Sequence, residues 1–149
     1  MILGLGGGSV IKPLRRFWPD CQIVGVEQDL EIIKLAQKYL SFKPQSLRLE
    51  VADAFQFVNK GKSNFYDLII VDLYIGSEIP VQTKSNQFLN DLKRIAKPKS
   101  EIIFNHLYFR NHKNSAQKFL AQLSEVFDNV SAIKDFPIMA TNLLIYCQN

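Results

Sequence analysis

The chain has 149 residues, 47% hydrophobic and 21% charged, which suits one globular domain spanning 1–149 and excludes a disordered tail or low-complexity scaffold. Eighteen Lys and Arg against fourteen Asp and Glu leave a charge of +4. This excess is scattered, with Lys97, Lys99, Arg110 and Lys113 the nearest thing to a cluster, so nucleic acid is not the expected partner.

Short apolar runs alternate with helical patterns along the chain, the rhythm of parallel strands joined by crossover helices. Met1 to Leu5 is the first predicted strand, and a glycine-rich turn leads from it into a helix starting near Ser9. Gln22 to Val26 is the second strand. Ile32, Leu35, Ala36, Tyr39 and Leu40 then recur at helical spacing until Lys43-Pro44 stops them. Leu47 to Val51 is a third strand, followed by a short helix from about Ala54. Asp67-Leu-Ile-Ile-Val-Asp72 reads as a central strand buried on both faces. Phe88, Leu92, Ile95 and Ala96 mark a helix that Lys97-Pro98 ends, and Glu101 to Tyr108 is a fifth strand. A helix through Ala116, Phe119, Leu120, Leu123 and Phe127 precedes two strands, Val130 to Lys134 and Asn142 to Cys147. These are joined by a short loop containing Pro137, and antiparallel pairing is expected there. The fold class is therefore α/β, a Rossmann-like, doubly wound, mostly parallel sheet with a C-terminal antiparallel hairpin, the seven-strand methyltransferase arrangement.

Nothing in the sequence has the length and apolarity of a membrane span or the form of a secretory leader. Cys21 and Cys147 lie far apart without metal-ligand spacing, so a reduced, cytoplasmic protein without a metal site or membrane association is expected.

The residues that carry chemistry stand where strands end. Gly4-Leu5-Gly6-Gly7-Gly8-Ser9 occupies a strand-to-helix turn in which glycines admit a tight path and close approach of backbone to a ligand. A purely structural turn would show the same residues. Glu27 follows at the end of the second strand, where a carboxylate accepts from both ribose hydroxyls of an adenosyl or dinucleotide ligand. Its rival reading is a strand-end acid, Asp29 being the better helix cap. A nicotinamide fingerprint requires glycine where Ser9 stands. Val51-Ala52-Asp53-Ala54 sets an acid beyond the third strand, suited to the adenine amine, to capping the next helix, or to both at once. Asp72 ends the fourth strand and opens a loop with Tyr74, so a carboxylate and an aromatic hydroxyl face an incoming amine or the cofactor. The alternative is an acid that binds backbone amides. His106 and His112, near Tyr108 and Arg110, lack ligating partners and read as structural.

Ile-Leu-Gly-Leu-Gly-Gly-Gly-Ser, Val-Gly-Val-Glu-Gln-Asp, Val-Ala-Asp-Ala-Phe-Gln-Phe and Asp-Leu-Ile-Ile-Val-Asp together resemble the successive motifs of the spermidine synthase family within the class I S-adenosylmethionine-dependent methyltransferase superfamily. The resemblance covers nearly the whole chain. It implies a site for S-adenosylmethionine, its decarboxylated form or methylthioadenosine. In that site Gly4, Gly6 and Gly8 frame the methionyl portion, Glu27 holds ribose and Asp53 meets adenine. Ala54 beside Asp53 is a further cofactor-binding candidate, and Asp72 and Tyr74 are the transfer candidates from their place at the strand end.

Aminopropyltransferases carry a catalytic aspartate three residues after the strand-ending one, where this chain has Ile75, with Glu78 the available substitute. They also carry an N-terminal β-hairpin domain, and this sequence starts after the point where that domain would end. Pro98-Lys99-Ser100 replaces their glycine-rich turn. On these departures the expected activity is methyl transfer to a small-molecule acceptor, which asks the protein mainly to align nucleophile and sulfonium. Aminopropyl transfer in polyamine synthesis and a noncatalytic adenosyl-binding scaffold are the alternatives. Homodimer formation is expected from the resemblance alone.

Overall fold

The computed structural model describes residues 1–40, 42–43, 47–108, 112–134 and 142–149. The expectations that fell on Pro44, Arg110 and Pro137 lie outside the described residues.

In chain order the elements are β1 (Ile2–Leu3), α1 (Ile11–Phe17), β2 (Val24–Glu27), α2 (Leu30–Tyr39), β3 (Arg48–Val51), α3 (Ala54–Asn59) and β4 (Tyr66–Val71). These are followed by α4 (Asn86–Ile95), β5 (Ala96–Leu107), α5 (His112–Val126), β6 (Asn129–Lys134) and β7 (Asn142–Gln148). They build one seven-stranded sheet in the order β3-β2-β1-β4-β5-β7-β6. β1 to β5 run parallel, while β7 pairs antiparallel with both β5 and β6. The α/β class and the closing antiparallel hairpin match the sequence reading.

Alternation along the strands divides the core. Leu3, Ile69, Val71, Ile102 and Phe104 face α3, α4 and α5, where Val58, Leu89, Leu92, Ile95, Phe119 and Leu123 meet them. Ile2, Ile23 and Ile70 face the other way, onto Ile11 of α1 and Ile33 and Ala36 of α2. Each fully buried Leu, Ile or Phe contributes about 1.5–3 kcal/mol, so β4, apolar on both faces, belongs at the centre of the sheet.

One boundary departs from expectation. Lys97-Pro98 does not lie in a loop: α4 passes into β5 at Ala96, which pairs with Tyr66 before the register slips to Leu68 opposite Glu101. Lys99 takes φ +65° at this irregularity. A lysine thus adopts a backbone conformation more often given to glycine, and the extra residues are taken up as a bulge. β1 is also shorter than read, two residues rather than five, because Gly4 turns the chain away at once. The order of the sheet reverses between β1 and β4, and the crevice beyond their carboxyl ends is the usual ligand position of such a fold.

Candidate active site

The glycine turn is shaped by backbone contact. Gly4 has φ +81°, and a Cβ placed on it would stand 2.2 Å from the Asp72 carbonyl oxygen. Only a residue without a side chain lets the end of β1 pass so close to the end of β4. Gly4 and Leu5 both donate their backbone N–H to the Val26 carbonyl. Glu27, 9% exposed, draws the next loop in: Oε2 accepts from the Gly6 N–H at 2.9 Å and Oε1 from the Asp29 N–H at 3.0 Å. Its carboxylate ties the loop after β1 to the loop after β2. Each oxygen keeps a lone pair for a further donor. Gly8 lies behind this loop, its Cα facing the Phe42 ring and Ile11, and it takes no part in the cavity wall.

In front of the loop opens a cavity of about 560 Å³ lined by Gly4, Gly6, Glu27, Asp53, Ala54, Asp72 and Tyr74. Of the residues singled out in the sequence for binding or transfer, only Gly8 is outside it. The lining also includes Asp29, Ile32, Phe55, Ile75, Pro80 and Gln82. Asp29 caps α2, its Oδ1 accepting from the Glu31 and Ile32 N–H groups. Asp53 caps α3, its Oδ1 accepting from the Gln56 N–H at 2.8 Å. One carboxylate oxygen of Asp53 thus serves the helix. Phe55, which the sequence reading passed over, stacks edge-to-face on Phe88 with ring centroids 4.8 Å apart.

Asp72 is the most strongly conditioned acid of the group. Burial raises its carboxyl above the ordinary carboxylate range, opposed by the Asn105 side chain, whose Nδ2 donates to Asp72 Oδ1 at 2.8 Å. The Tyr74 hydroxyl donates to the Asn105 backbone oxygen at 3.1 Å. Burial, reinforced by the charge of Asp72, pushes that phenol up to about 12, so it remains a protonated donor at neutral pH. Sequence reasoning missed Asn105, which stands 33 residues beyond the acid it touches and belongs to no recognisable motif.

Beyond Tyr74 the chain makes a tight turn. Ile75 and Glu78 exchange backbone hydrogen bonds at 2.9 and 3.2 Å across Gly76, at φ +61°, and Ser77. Glycine at the first central position is the pattern of a II′ hairpin turn. Ile75 is 65% exposed at the cavity mouth. His106 lies elsewhere: it is buried, donates from Nδ1 to the Leu107 carbonyl and packs against Phe119 of α5. This is the structural role expected for it.

A family model described as "Spermine/spermidine synthase domain" matches residues 1–148. The chain belongs to the spermine/spermidine synthase family. It is similar to polyamine aminopropyltransferases from Vibrio vulnificus (strain CMCP6) and Prochlorococcus marinus (strain MIT 9215). The first is 30% identical over 70% of this chain and 36% of its own length, and the second 27% identical over 91% and 50%. The chain therefore spans half or less of the length of these relatives. Among solved structures, a spermidine synthase in complex with the transition-state analogue AdoDATO superposes with a TM-score of 0.85 at 18% identity. The match covers 99% of this chain and 53% of that one. Human methyltransferase-like protein 13, in complex with SAH, gives 0.84 at 23%, covering 99% and 69%. At these identities the likeness is one of fold.

Family membership corrects the activity expected from the sequence. The methyl-transfer reading rested on departures from the family pattern, Ile75 and Pro98-Lys99-Ser100 among them. The family model and the named relatives point instead to aminopropyl transfer, which stood as the alternative. One substituted loop position was given more weight than the sheet and strand-end motifs that carry the family pattern through the rest of the chain. Among the described residues, no helix is long and apolar enough to cross a membrane.

Proposed function

We propose that the cavity binds decarboxylated S-adenosylmethionine and supports transfer of its aminopropyl group to a polyamine-type amine. The observation that carries this reading is the charge of the wall. Glu27, Asp29, Asp53 and Asp72 line the cavity, and no Lys or Arg joins them among the described residues. Four carboxylates without a counter-cation favour a ligand bearing positive charge at several points. The donor carries a sulfonium and a primary ammonium, and the acceptor is itself cationic. S-adenosylmethionine adds a carboxylate that this wall would repel, and a dinucleotide brings two phosphates.

Glu27 and Asp53 are the residues for the two ends of the adenosine. Glu27 offers its remaining lone pairs to the ribose hydroxyls, and Asp53 offers the oxygen not used in capping α3 to the adenine amine. Phe55 adds an apolar face beside them. When bound, the donor supplies a propyl carbon activated by its sulfonium. Asp72 holds the cationic amine in place and takes a proton at its carboxylate, a task eased by the raised affinity for protons that burial confers. Tyr74 closes the site beside it with a ring face and a fixed hydroxyl. With Ile75 in the position of the family's catalytic aspartate, with Glu27 and Asp53 assigned to the adenosine and Asp29 capping α2, Asp72 is the cavity carboxylate that remains to do this, Glu78 being exposed on the neighbouring turn.

Calorimetric titration with decarboxylated S-adenosylmethionine, S-adenosylmethionine, methylthioadenosine and NAD, beside an assay of methylthioadenosine release with 1,4-diaminobutane, tests the proposal. The decarboxylated donor is expected to bind at least about tenfold more tightly than S-adenosylmethionine, a difference of about 1.4 kcal/mol, and to release methylthioadenosine only with the amine present. Equal affinity for the two donors, or binding of NAD, overturns it. Ile75 favours a second reading, binding without transfer, which tight binding with no release would support.

A further inference from the structure

Asn105 is placed unlike any other polar residue of the site. It lies on β5, next to Phe104, which pairs with Val71 at the end of β4. Its side chain reaches across to Asp72, Nδ2 donating to Oδ1 at 2.8 Å, while its backbone oxygen receives the Tyr74 hydroxyl. The other end of the amide is idle: Asn105 Oδ1 is buried and has no hydrogen-bond partner. A buried acceptor left unmade is a standing cost to the fold. An apolar residue would avoid it, unless the oxygen is used in another state of the site.

The group within reach that changes between donor and acceptor is Asp72 itself. As a carboxylate it only accepts, and Nδ2 is the correct partner. Once it carries a proton it becomes a donor, and a half-turn of the amide brings Oδ1 to the place Nδ2 held. The terminal torsion of asparagine is broad and close to two-fold, so both settings are accessible. We propose that Asn105 is the positioning residue of Asp72 in both of its protonation states, donating from Nδ2 to the carboxylate and accepting at Oδ1 from the carboxylic acid.

This inference rests on the reading of Asp72 as the proton acceptor in aminopropyl transfer. In that step the bound ammonium first gives up a proton, the neutral nitrogen bonds to the propyl carbon with its lone pair, and the carbon–sulfur bond breaks with its electron pair left on sulfur. The proton given up by the ammonium is the one that passes to Asp72. Asn105 makes and breaks no covalent bond; it keeps the carboxyl group in one orientation before and after the proton arrives. The other titratable groups around Asp72 are Tyr74 on the same loop and Glu27, Asp29 and Asp53 across the cavity. No Lys or Arg is among the described lining residues. The bond from Nδ2 to the carboxylate is charge-assisted and stronger than the neutral bond from the acid to Oδ1, so Asn105 favours the ionised form on balance and its removal raises the titration.

The test is a pH titration of the Asp72 carboxyl carbon by NMR on the ligand-free chain, compared between wild type, Asn105→Leu and Asn105→Asp. Methylthioadenosine affinity and thermal midpoint serve as checks of folding. Loss of the amide donor is expected to move the Asp72 titration upward by about one unit or more in Asn105→Leu. The shift should be larger in Asn105→Asp, where a second carboxylate faces the first. Methylthioadenosine, which has no ammonium, should bind within about twofold of wild type.

In the transfer assay, the acid limb of the kcat profile should move with the titration. An Asp72 titration unchanged in both variants, or Asn105 side-chain amide resonances in the wild type that do not move with that titration, overturns the inference. A shifted titration in a chain that transfers no aminopropyl group upholds Asn105 as the positioning residue and overturns the proposed function instead.

Discussion

Two hollows open at opposite ends of the same sheet, and the larger is not where the chemistry gathers. At the amino ends of the strands a groove of about 990 Å³ is lined by Met1, Phe17, Trp18, Phe65, Tyr66 and their neighbours, with acids and lysines mixed along its rim. At the carboxyl ends the cavity is little more than half that size, about 560 Å³, yet it receives four carboxylates, the glycine turn and Tyr74. Parallel strands explain the difference. All five carboxyl ends point one way, so the loops that follow them bring Glu27, Asp53 and Asp72 together from three separate strands. At the amino ends the incoming loops bring aromatic and aliphatic side chains mixed with charges of both signs. Convergence of like groups locates a site better than volume does.

The most damaging way to break that contrast is at Gly4, where the two central strands leave the sheet. In Gly4→Ala the new methyl group meets the Asp72 carbonyl at 2.2 Å and the backbone keeps a strained φ of +81°. The strained conformation costs about 1–2 kcal/mol before the collision is counted. We expect a fall in thermal midpoint of several degrees and loss of adenosyl binding. An unchanged midpoint with intact binding would show that β1 and β4 separate without cost.

Next in size is Glu27→Gln. Its amide replaces an oxygen that accepts from the Gly6 or Asp29 N–H with a group that can only donate, and it removes the charge offered to ribose. Affinity for methylthioadenosine should fall about tenfold or more by calorimetry. A change under about threefold would mean that Glu27 only braces the loops.

Much of this was legible in advance, for local reasons. The strand periodicity, the glycine turn and the capping acids Asp29 and Asp53 depend on neighbours a few residues away, and the structure has them in place. What escaped reading depends on distance along the chain. Asn105 meets Asp72 across 33 residues, and Phe55 acquires its position from Phe88. Gly8 carries the same motif signature as Gly4 and Gly6 yet packs on Phe42. A motif records the residue types in a turn, while the packing behind it decides which of them look outward. The bulge at Lys99 was hidden for a similar reason: Lys97-Pro98 signals the end of a helix, but pairing with Tyr66 draws the chain into β5 at once.

Asp72→Asn separates stability from function within the smaller cavity. The folded-state carboxyl titrates above its ordinary value of 3.8. Asp72 therefore contributes stability that is fully present below that value and is lost as pH rises through the folded-state value. The asparagine variant does not ionise, so it should be the more stable protein at neutral pH by a modest margin in chemical denaturation, with the difference vanishing in acid. It should also release no methylthioadenosine in the transfer assay. A variant less stable than wild type at neutral pH would show that the carboxylate is better compensated than its burial implies.

The smallest effect is expected at the larger hollow, and it bears most directly on the contrast. Trp18 and Phe65 are 57% and 47% exposed on its wall, so replacing both by serine removes apolar surface of which about half is already in water and opens no enclosed cavity. Neither residue lines the crevice beyond the carboxyl ends of the strands. The length of β1 and β4 lies between the two hollows, and Leu3, Ile69 and Val71 within it are buried. The double variant should therefore bind methylthioadenosine within about twofold of wild type and melt within a few degrees of it. A tenfold loss of affinity would mean that the amino-end groove and the acidic cavity are coupled through those short central strands. The separation of the two ends would then be one of position only.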